Sequence, residues 1–348
     1  MFKITEDTLV FDDVMLKPKY SNIKSRDDID TSVKMGLFTF KHPLVPSPMK
    51  SLYSHEMFVE IIKSGGLAIL HRFMSIDDQV KVAKNMISNF GPNNFSASIG
   101  IKDIDKENVA KFADVGVKII CIDIAHAHTP YCRDMVRWIK KKYPDMFIIA
   151  GNISTGEGAR YLWESGVDAV RVGQGNGSIC TTRVMTGNGV PQLSALIEVQ
   201  KEQELLLEHE EINNIQSRRG YYIISDGGCK IPGDVVKSCC FADMIISGNL
   251  FAACDECEGN TIVVDGVAYK EYAGSSTHKP NHVEGVSGLV KCKGKYKNVL
   301  TKILEGLRSG CSYQGANNLQ ELKTNPIFVR ITNAGFQESN AHDIKVVK

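Results

Sequence analysis

The sequence predicts a closed eight-stranded (β/α)8 barrel, a TIM barrel of the α/β class. Three observations carry that prediction. Eight short apolar, β-branched runs recur along the chain. Segments of helical periodicity separate most of them. A glycine repeatedly stands where such a segment ends and the next apolar run begins.

The runs are 44–47, 67–70, 95–100, 118–123, 147–151, 168–173, 221–225 and 243–247. They are apolar almost throughout instead of alternating, as strands covered on both faces are. Helical periodicity marks 55–63, 76–87, 106–114, 131–142, 155–164 and 233–239. The junctions Ser64-Gly65-Gly66-Leu67, Asp114-Val115-Gly116-Val117 and Glu164-Ser165-Gly166-Val167 place Gly where a left-handed turn closes a helix. A doubly wound open sheet is the alternative, since short helix–strand loops suit it as well. Two stretches break the rhythm. Residues 175–220 follow the sixth strand and end in a charged helix over 193–211. Residues 254–297 follow the eighth; they form a polar flap, strand-like over 261–268. Insertions after barrel strands lie on the face that carries active sites. Residues 12–30 read as an irregular arm. The expectation is a single barrel domain over 1–348 with no inserted regulatory domain.

Composition narrows the function classes. The chain has 348 residues, 43% hydrophobic, with a formal net charge of +1, which favours neither nucleic acid nor a membrane surface. No apolar run approaches 18 residues, and the start lacks an apolar signal core. Ten cysteines are scattered along the chain, several within apolar runs, so reduced thiols and a cytoplasmic location are expected. Cys254 and Cys257 form a lone CxxC without a second pair to complete a zinc site.

A barrel gathers its strand ends around one mouth. Here they are Ser47, His71, Asp123, Asn152, Gly173, Asp226 and Gly248. Any one of these can be a turn or capping residue; their convergence suggests a site. Loops after strands seven and eight often bind phosphate in this fold. They read Asp226-Gly227-Gly228 and Gly248-Asn249, and the helix from Gly233 offers its positive end. The most specific motif is Gly173-Gln174-Gly175-Asn176-Gly177-Ser178-Ile179-Cys180-Thr181-Thr182-Arg183. Alternating glycines form a loop that turns its backbone towards a ligand or ion, with Ser178 able to donate to a phosphate. Carbonyls of Gly175, Gly177 and Cys180 suit a monovalent cation. The alternative is a structural loop with an incidental cysteine.

This loop resembles the catalytic loop of the IMP dehydrogenase/GMP reductase family, usually GIGPGSICTTR. Phe11-Asp12-Asp13-Val14-Met15-Leu16-Lys17-Pro18, Ala150-Gly151-Asn152, Ser225-Asp226-Gly227-Gly228 and Gly306-Leu307-Arg308-Ser309-Gly310 agree in order. The resemblance spans nearly the whole chain. It implies a purine nucleotide 5′-monophosphate, a nicotinamide cofactor, K+ in some members and a homotetramer. Carried over, Cys180 attacks C2 of the purine, Thr182 relays protons and Glu284 partners it. Asp226 takes the ribose hydroxyls. Ser178, Gly228, Gly248 and Asn249 take the phosphate, and Gly227 belongs to the substrate-binding set. Ser47, Met49, Gly274, Ser275 and Ser276 line the purine pocket. Asp123, Asn152, Arg171 and Gly173 face the nicotinamide.

The two activities of the family differ in how water is handled. Dehydrogenases carry a long flap with an Arg-Tyr pair that activates water, and usually a regulatory domain after the second strand. Here 277–283 contains neither Arg nor Tyr, and 70–95 holds one helix. The short flap, with Lys24-Ser25-Arg26, His71-Arg72-Phe73 and Lys270-Glu271-Tyr272, is similar to short bacterial GMP reductases. The resemblance therefore implies NADPH-dependent conversion of GMP to IMP. Asp123-Ile124-Ala125-His126-Ala127-His128 and the tail from Ala334 to Asp343 are closer to dehydrogenases, so IMP oxidation with NAD is the alternative. A purine nucleotide-binding barrel without catalysis is a third reading. Departures are Asn176 for Pro, Lys50 for Asp, Ser275 for Met and Asn249 for Ser or Gly. They allow a modified or deoxy purine nucleotide.

Overall fold

A computed structural model describes residues 8–213, 220–274, 284–341 and 344. Ser275, Ser276, the flap stretch 277–283 and the tail residues His342 and Asp343 lie outside the described residues. The expected barrel is present. Its strands are β1 (Leu44–Pro46), β2 (Ala68–Leu70), β3 (Phe95–Ile99), β4 (Ile119–Asp123), β5 (Phe147–Ile153), β6 (Ala169–Val172), β7 (Tyr222–Asp226) and β8 (Met244–Ser247). All inter-strand ladders among them are parallel, in the order β1-β8-β7-β6-β5-β4-β3-β2, and the end strands β1 and β2 lie in contact. The open-sheet alternative is thereby set aside.

Each strand sits where the sequence places it. Side chains along β1, β2, β3, β6 and β8 are buried without alternation, as a parallel sheet covered on both sides requires. Two aspartates lock the lower rim. Asp168, before β6, accepts the Ile148 N–H (2.7 Å) and the Lys140 ammonium (2.6 Å). Asp243, before β8, accepts the Ile223 N–H (2.8 Å) and pairs with Lys323. The second N–H of a neighbouring strand is thus satisfied by a carboxylate that is itself neutralised.

The covering helices are α1 (His55–Lys63), α2 (Ile76–Phe90), α3 (Asp103–Asp114), α4 (Pro130–Lys142) and α5 (Gly156–Ser165), then, past the short α6 (Thr182–Thr186), α7 (Gln192–Ile212), α8 (Pro232–Cys239) and α9 (Tyr296–Gln314). Ser54, Ser75, Thr129 and Thr155 each cap a helix by accepting a backbone N–H three residues on. Helix α9 carries Gly306 and Gly310 for a packing reason. A Cβ on Gly306 would lie 2.4 Å from Pro232, and one on Gly310 would lie 2.4 Å from Val236, so α8 and α9 meet closely. Among the described residues no helix is long and apolar enough to cross a membrane.

Three elements differ from expectation. Strand β5 runs on to Ile153, past an irregularity that leaves Asn152 out of register with β6. The N-terminal arm contains a strand, Val14–Leu16, paired antiparallel with Phe328–Arg330. The flap is a three-stranded antiparallel sheet of β9 (Ile262–Val264), β10 (Val267–Ala273) and β11 (Ser287–Lys291). Asp265 (φ 50°) and Gly266 (φ 72°) make the tight turn between β9 and β10, as Asp-Gly does in a two-residue hairpin. All ten cysteines are free thiols, and among the described residues no cluster of three His, Cys, Asp or Glu side chains could hold a metal.

Candidate active site

The strand ends and both insertions surround a cavity of about 380 Å³ at the barrel mouth. That volume lies in the range of small-molecule sites. Most of the expected residues line it: Ser47, Met49, Asp123, Asn152, Arg171, Gly173, Gly175, Gly177, Cys180, Thr182, Asp226, Gly227, Gly248, Gly274 and Glu284. Gly228 and Asn249 lie outside that lining, and Ser178 is exposed to solvent. The expected anion site at the start of α8 is already filled. Asp234 accepts the Lys230 N–H (2.9 Å) and the Ile231 N–H (3.3 Å) there, so a second negative charge is disfavoured.

Cys180 is half-buried on the loop after β6. Its Sγ lies 3.1 Å from Thr182 Oγ1, and that hydroxyl donates to Glu284 Oε2 at 2.7 Å. A hydroxyl carries one proton. With that proton given to Glu284, the Cys180 thiol must be the donor to Thr182. The three groups form one directed chain, from thiol to hydroxyl to carboxylate. It can carry a proton away from sulfur and return it to a leaving group.

The opposite wall is a charge network. Arg171, whose side chain is 4% exposed, donates Nη1 to Asp123 Oδ1 (2.7 Å) and both Nη2 (2.7 Å) and Nε (3.1 Å) to Asp226 Oδ2. Asn152 Nδ2 reaches the same Asp226 oxygen at 2.7 Å and the Gly173 carbonyl at 2.7 Å. None of these bonds uses Asp226 Oδ1. A carboxylate so held presents one oriented oxygen to a ligand. The nearby Asp carboxylates hold the Arg171 guanidinium fully charged despite its burial.

Several residues that the sequence named only within motifs or at a strand end also meet at the site. Tyr272, at the end of β10, turns its hydroxyl over Gly248 and the Met49 sulfur (3.7 Å). Burial first, then the Asp226 and Cys180 charges, push its phenol pKa up, so it is a neutral donor. Gln174 ties the loop to Ala125 O (2.9 Å) and accepts from Ser154 (2.7 Å). Arg72 donates to Asp123 O at 2.9 Å and lies 4.9 Å over the Phe73 ring. His71 is buried beside them; its Nδ1 accepts the Phe73 N–H (3.1 Å), and burial followed by the Lys50 charge lowers its pKa to about 4. The sequence named His71 as a strand end and Gln174 within the cysteine loop, and quoted Arg72 and Tyr272 in motifs without giving either a role.

Asp123, Asn152, Gly173, Arg72 and Phe73 line the same cavity as Cys180. Their flat aromatic, amide and carboxylate groups fit a planar carboxamide ring. The Gly177 carbonyl accepts the Cys180 N–H at 3.0 Å and retains one lone pair for a cation.

Comparison with known proteins agrees with this geometry. Residues 8–342 match the family described as the IMP dehydrogenase / GMP reductase domain. A GMP reductase of Staphylococcus epidermidis is 36% identical over 90% of this chain and 94% of its own. GMP reductase 1 of Rattus norvegicus is 35% identical over 93% and 95%. An inosine-5′-monophosphate dehydrogenase of Borreliella burgdorferi is 32% identical over 98% of both chains. This chain covers only 61% of the inosine-5′-monophosphate dehydrogenase of Chlorobaculum parvum, which is 35% identical. With the barrel, the cysteine loop and the matched length together, this chain belongs to the IMP dehydrogenase/GMP reductase family.

Proposed function

We propose that this protein is an NADPH-dependent GMP reductase that converts GMP to IMP and ammonia. One observation carries the reading. The thiol–hydroxyl–carboxylate chain of Cys180, Thr182 and Glu284 is assembled, while 277–283 holds no Arg and no Tyr to activate water. In this mechanism Thr182 accepts the thiol proton as its own proton passes to Glu284. The Cys180 thiolate forms a bond to purine C2. Glu284 returns its proton through Thr182 to the 2-amino group, the C2–N bond breaks and ammonia leaves. Asp123, Asn152, Arg171 and Gly173 would hold the reduced nicotinamide, which would supply a hydride to C2. Cys180 departs from C2 as thiolate and recovers a proton. Asp226 Oδ1 faces the ribose hydroxyls, held there by Arg171 and Asn152. Gly227, Gly228, Gly248, Asn249 and Tyr272 contribute donors for the phosphate, with Ser178 reaching it once the loop closes on substrate. Ser47, Met49, Gly274, Ser275 and Ser276 border the purine. A K+ ion would be held by the carbonyls of Gly175, Gly177 and Cys180.

The assay pairs GMP with NADPH and follows loss of the reduced-cofactor absorbance. A second reading, oxidation of IMP with NAD, is favoured by the Borreliella burgdorferi relative, which is matched over 98% of its length. NADPH consumption with ammonia release supports the reductase. XMP formation from IMP and NAD without NADPH consumption establishes the dehydrogenase. Cys180→Ala abolishes either activity, and retained turnover refutes the covalent route.

A further inference from the structure

We infer that Asn176 is a positioning residue that latches the Cys180 loop onto the end of β7. Both hydrogens of its amide are spent: Nδ2 donates to Gln192 Oε1 at 2.6 Å and to the Asp226 carbonyl at 2.8 Å. Gln192 is 2% exposed, and its own Nε2 donates to Val172 O (2.8 Å) and Ser225 Oγ (3.1 Å). One bonded chain therefore joins the loop, the first residue of α7 and the ends of β6 and β7. The seat is built for this amide. A Cβ on Gly173 would lie 2.9 Å from Asn176 Nδ2, one on Gly227 would lie 3.1 Å from Oδ1, and one on Gly228 would lie 3.4 Å from Nδ2.

The contact point gives the latch its meaning. Asp226 presents its carboxylate to the cavity and its backbone carbonyl to Asn176. The loop is thus fastened to the same residue that faces the nucleotide. Arg183 braces the loop's other limb through Gln174 O (2.9 Å) and Val190 O (2.5 Å). Cys180 hangs between these two struts. The family form of the loop has proline at this position, and proline offers no side-chain donor. A covalently stiff loop is replaced here by one fastened through hydrogen bonds.

The inference rests on Cys180 being the nucleophile of the proposed reaction, and its test separates the two. Asn176→Ala and Asn176→Asp are compared with the parent protein in four measurements: kcat, nucleotide KM, melting temperature, and the rate at which iodoacetamide alkylates Cys180 without substrate. Two net hydrogen bonds fasten the loop to the barrel, so Asn176→Ala lowers kcat about tenfold to thirtyfold. The nucleotide is held from the barrel ends, so KM shifts less than about threefold and melting is nearly unchanged. Cys180 alkylates about tenfold faster as the loop opens. Asn176→Asp keeps the shape, loses both donors and points a carboxylate at two oxygens. Its kcat relative to the parent recovers as pH falls and one O–H donor returns. Unchanged alkylation and kcat in Asn176→Ala overturn the inference, as does a kcat loss that merely follows a fall in melting temperature. Alkylation needs neither cofactor nor turnover, so a chain that oxidised IMP would sink the reductase reading and leave this result standing.

Discussion

Replacing Arg171 tests whether the buried cation is what holds the two cavity carboxylates in place. Arg171→Met keeps most of the side-chain volume but leaves Asp123 and Asp226, 19% and 12% exposed, facing one another without their cation. Removing one partner of a buried ion network costs about 3–5 kcal/mol. Unfolding entropy of about 2.1 cal/mol/K per residue gives about 0.7 kcal/mol/K for a chain of 348 residues. The melting temperature therefore falls by about 4–7 °C. Arg171→Lys retains the charge and loses the fork, so it falls by only about 1–3 °C. In the nucleotide reading, Asp226 also loses its orientation, and nucleotide KM in Arg171→Met rises about tenfold. Scanning calorimetry at neutral pH measures the first effect and steady-state kinetics the second. A Met variant melting within about 1 °C of the parent, with unchanged KM, refutes the argument.

Thr182→Val breaks the proton chain without changing shape; kcat falls about 10²–10⁴-fold, while Thr182→Ser keeps most activity. Equal rates for the two variants would exclude a relay. Burial holds His42 at a pKa of about 4 in the fold against 6.5 for the free side chain. As pH falls the unfolded chain takes up the proton first, so stability is full above pH 6.5 and declines towards pH 4. Urea unfolding of the parent and of His42→Asn over that window should differ by up to about 3 kcal/mol in pH dependence; parallel curves would refute it. A Cβ on Gly248 would lie 2.0 Å from the Tyr272 hydroxyl. Gly248→Ala therefore lowers the melting temperature, and adding Tyr272→Phe restores part of it. Failure of that rescue would show that the strain lies elsewhere.

The eight strands were legible because a parallel barrel makes each strand locally apolar, and because glycines such as Gly166 (φ 111°) mark the helix ends. What was not legible depends on distant partners. Val14–Leu16 is a strand only because Phe328–Arg330 lies beside it, more than three hundred residues away in the chain. The hairpin of β9 and β10 did carry a local signal in Asp265-Gly266, hidden within a stretch read as one strand. At the site, motif residues such as Cys180, Thr182 and Asp226 stood out. Gln192 and Tyr272 did not, since nothing in their neighbourhoods reports which cavity they meet. The helix start at α8 misled, because Asp234 supplies the anion that its position invites.

The bond from Thr182 to Glu284 joins parts of the chain that no strand holds together. Thr182 begins the short helix in the insertion after β6, and Glu284 stands in the insertion after β8. The two behave as a coincidence circuit. In the proposed reaction, sulfur would lose its route to a base with either insertion displaced, and the other could not compensate. On the proposed mechanism the thiol keeps its proton route only while the loop after β6 and the flap after β8 meet at this bond.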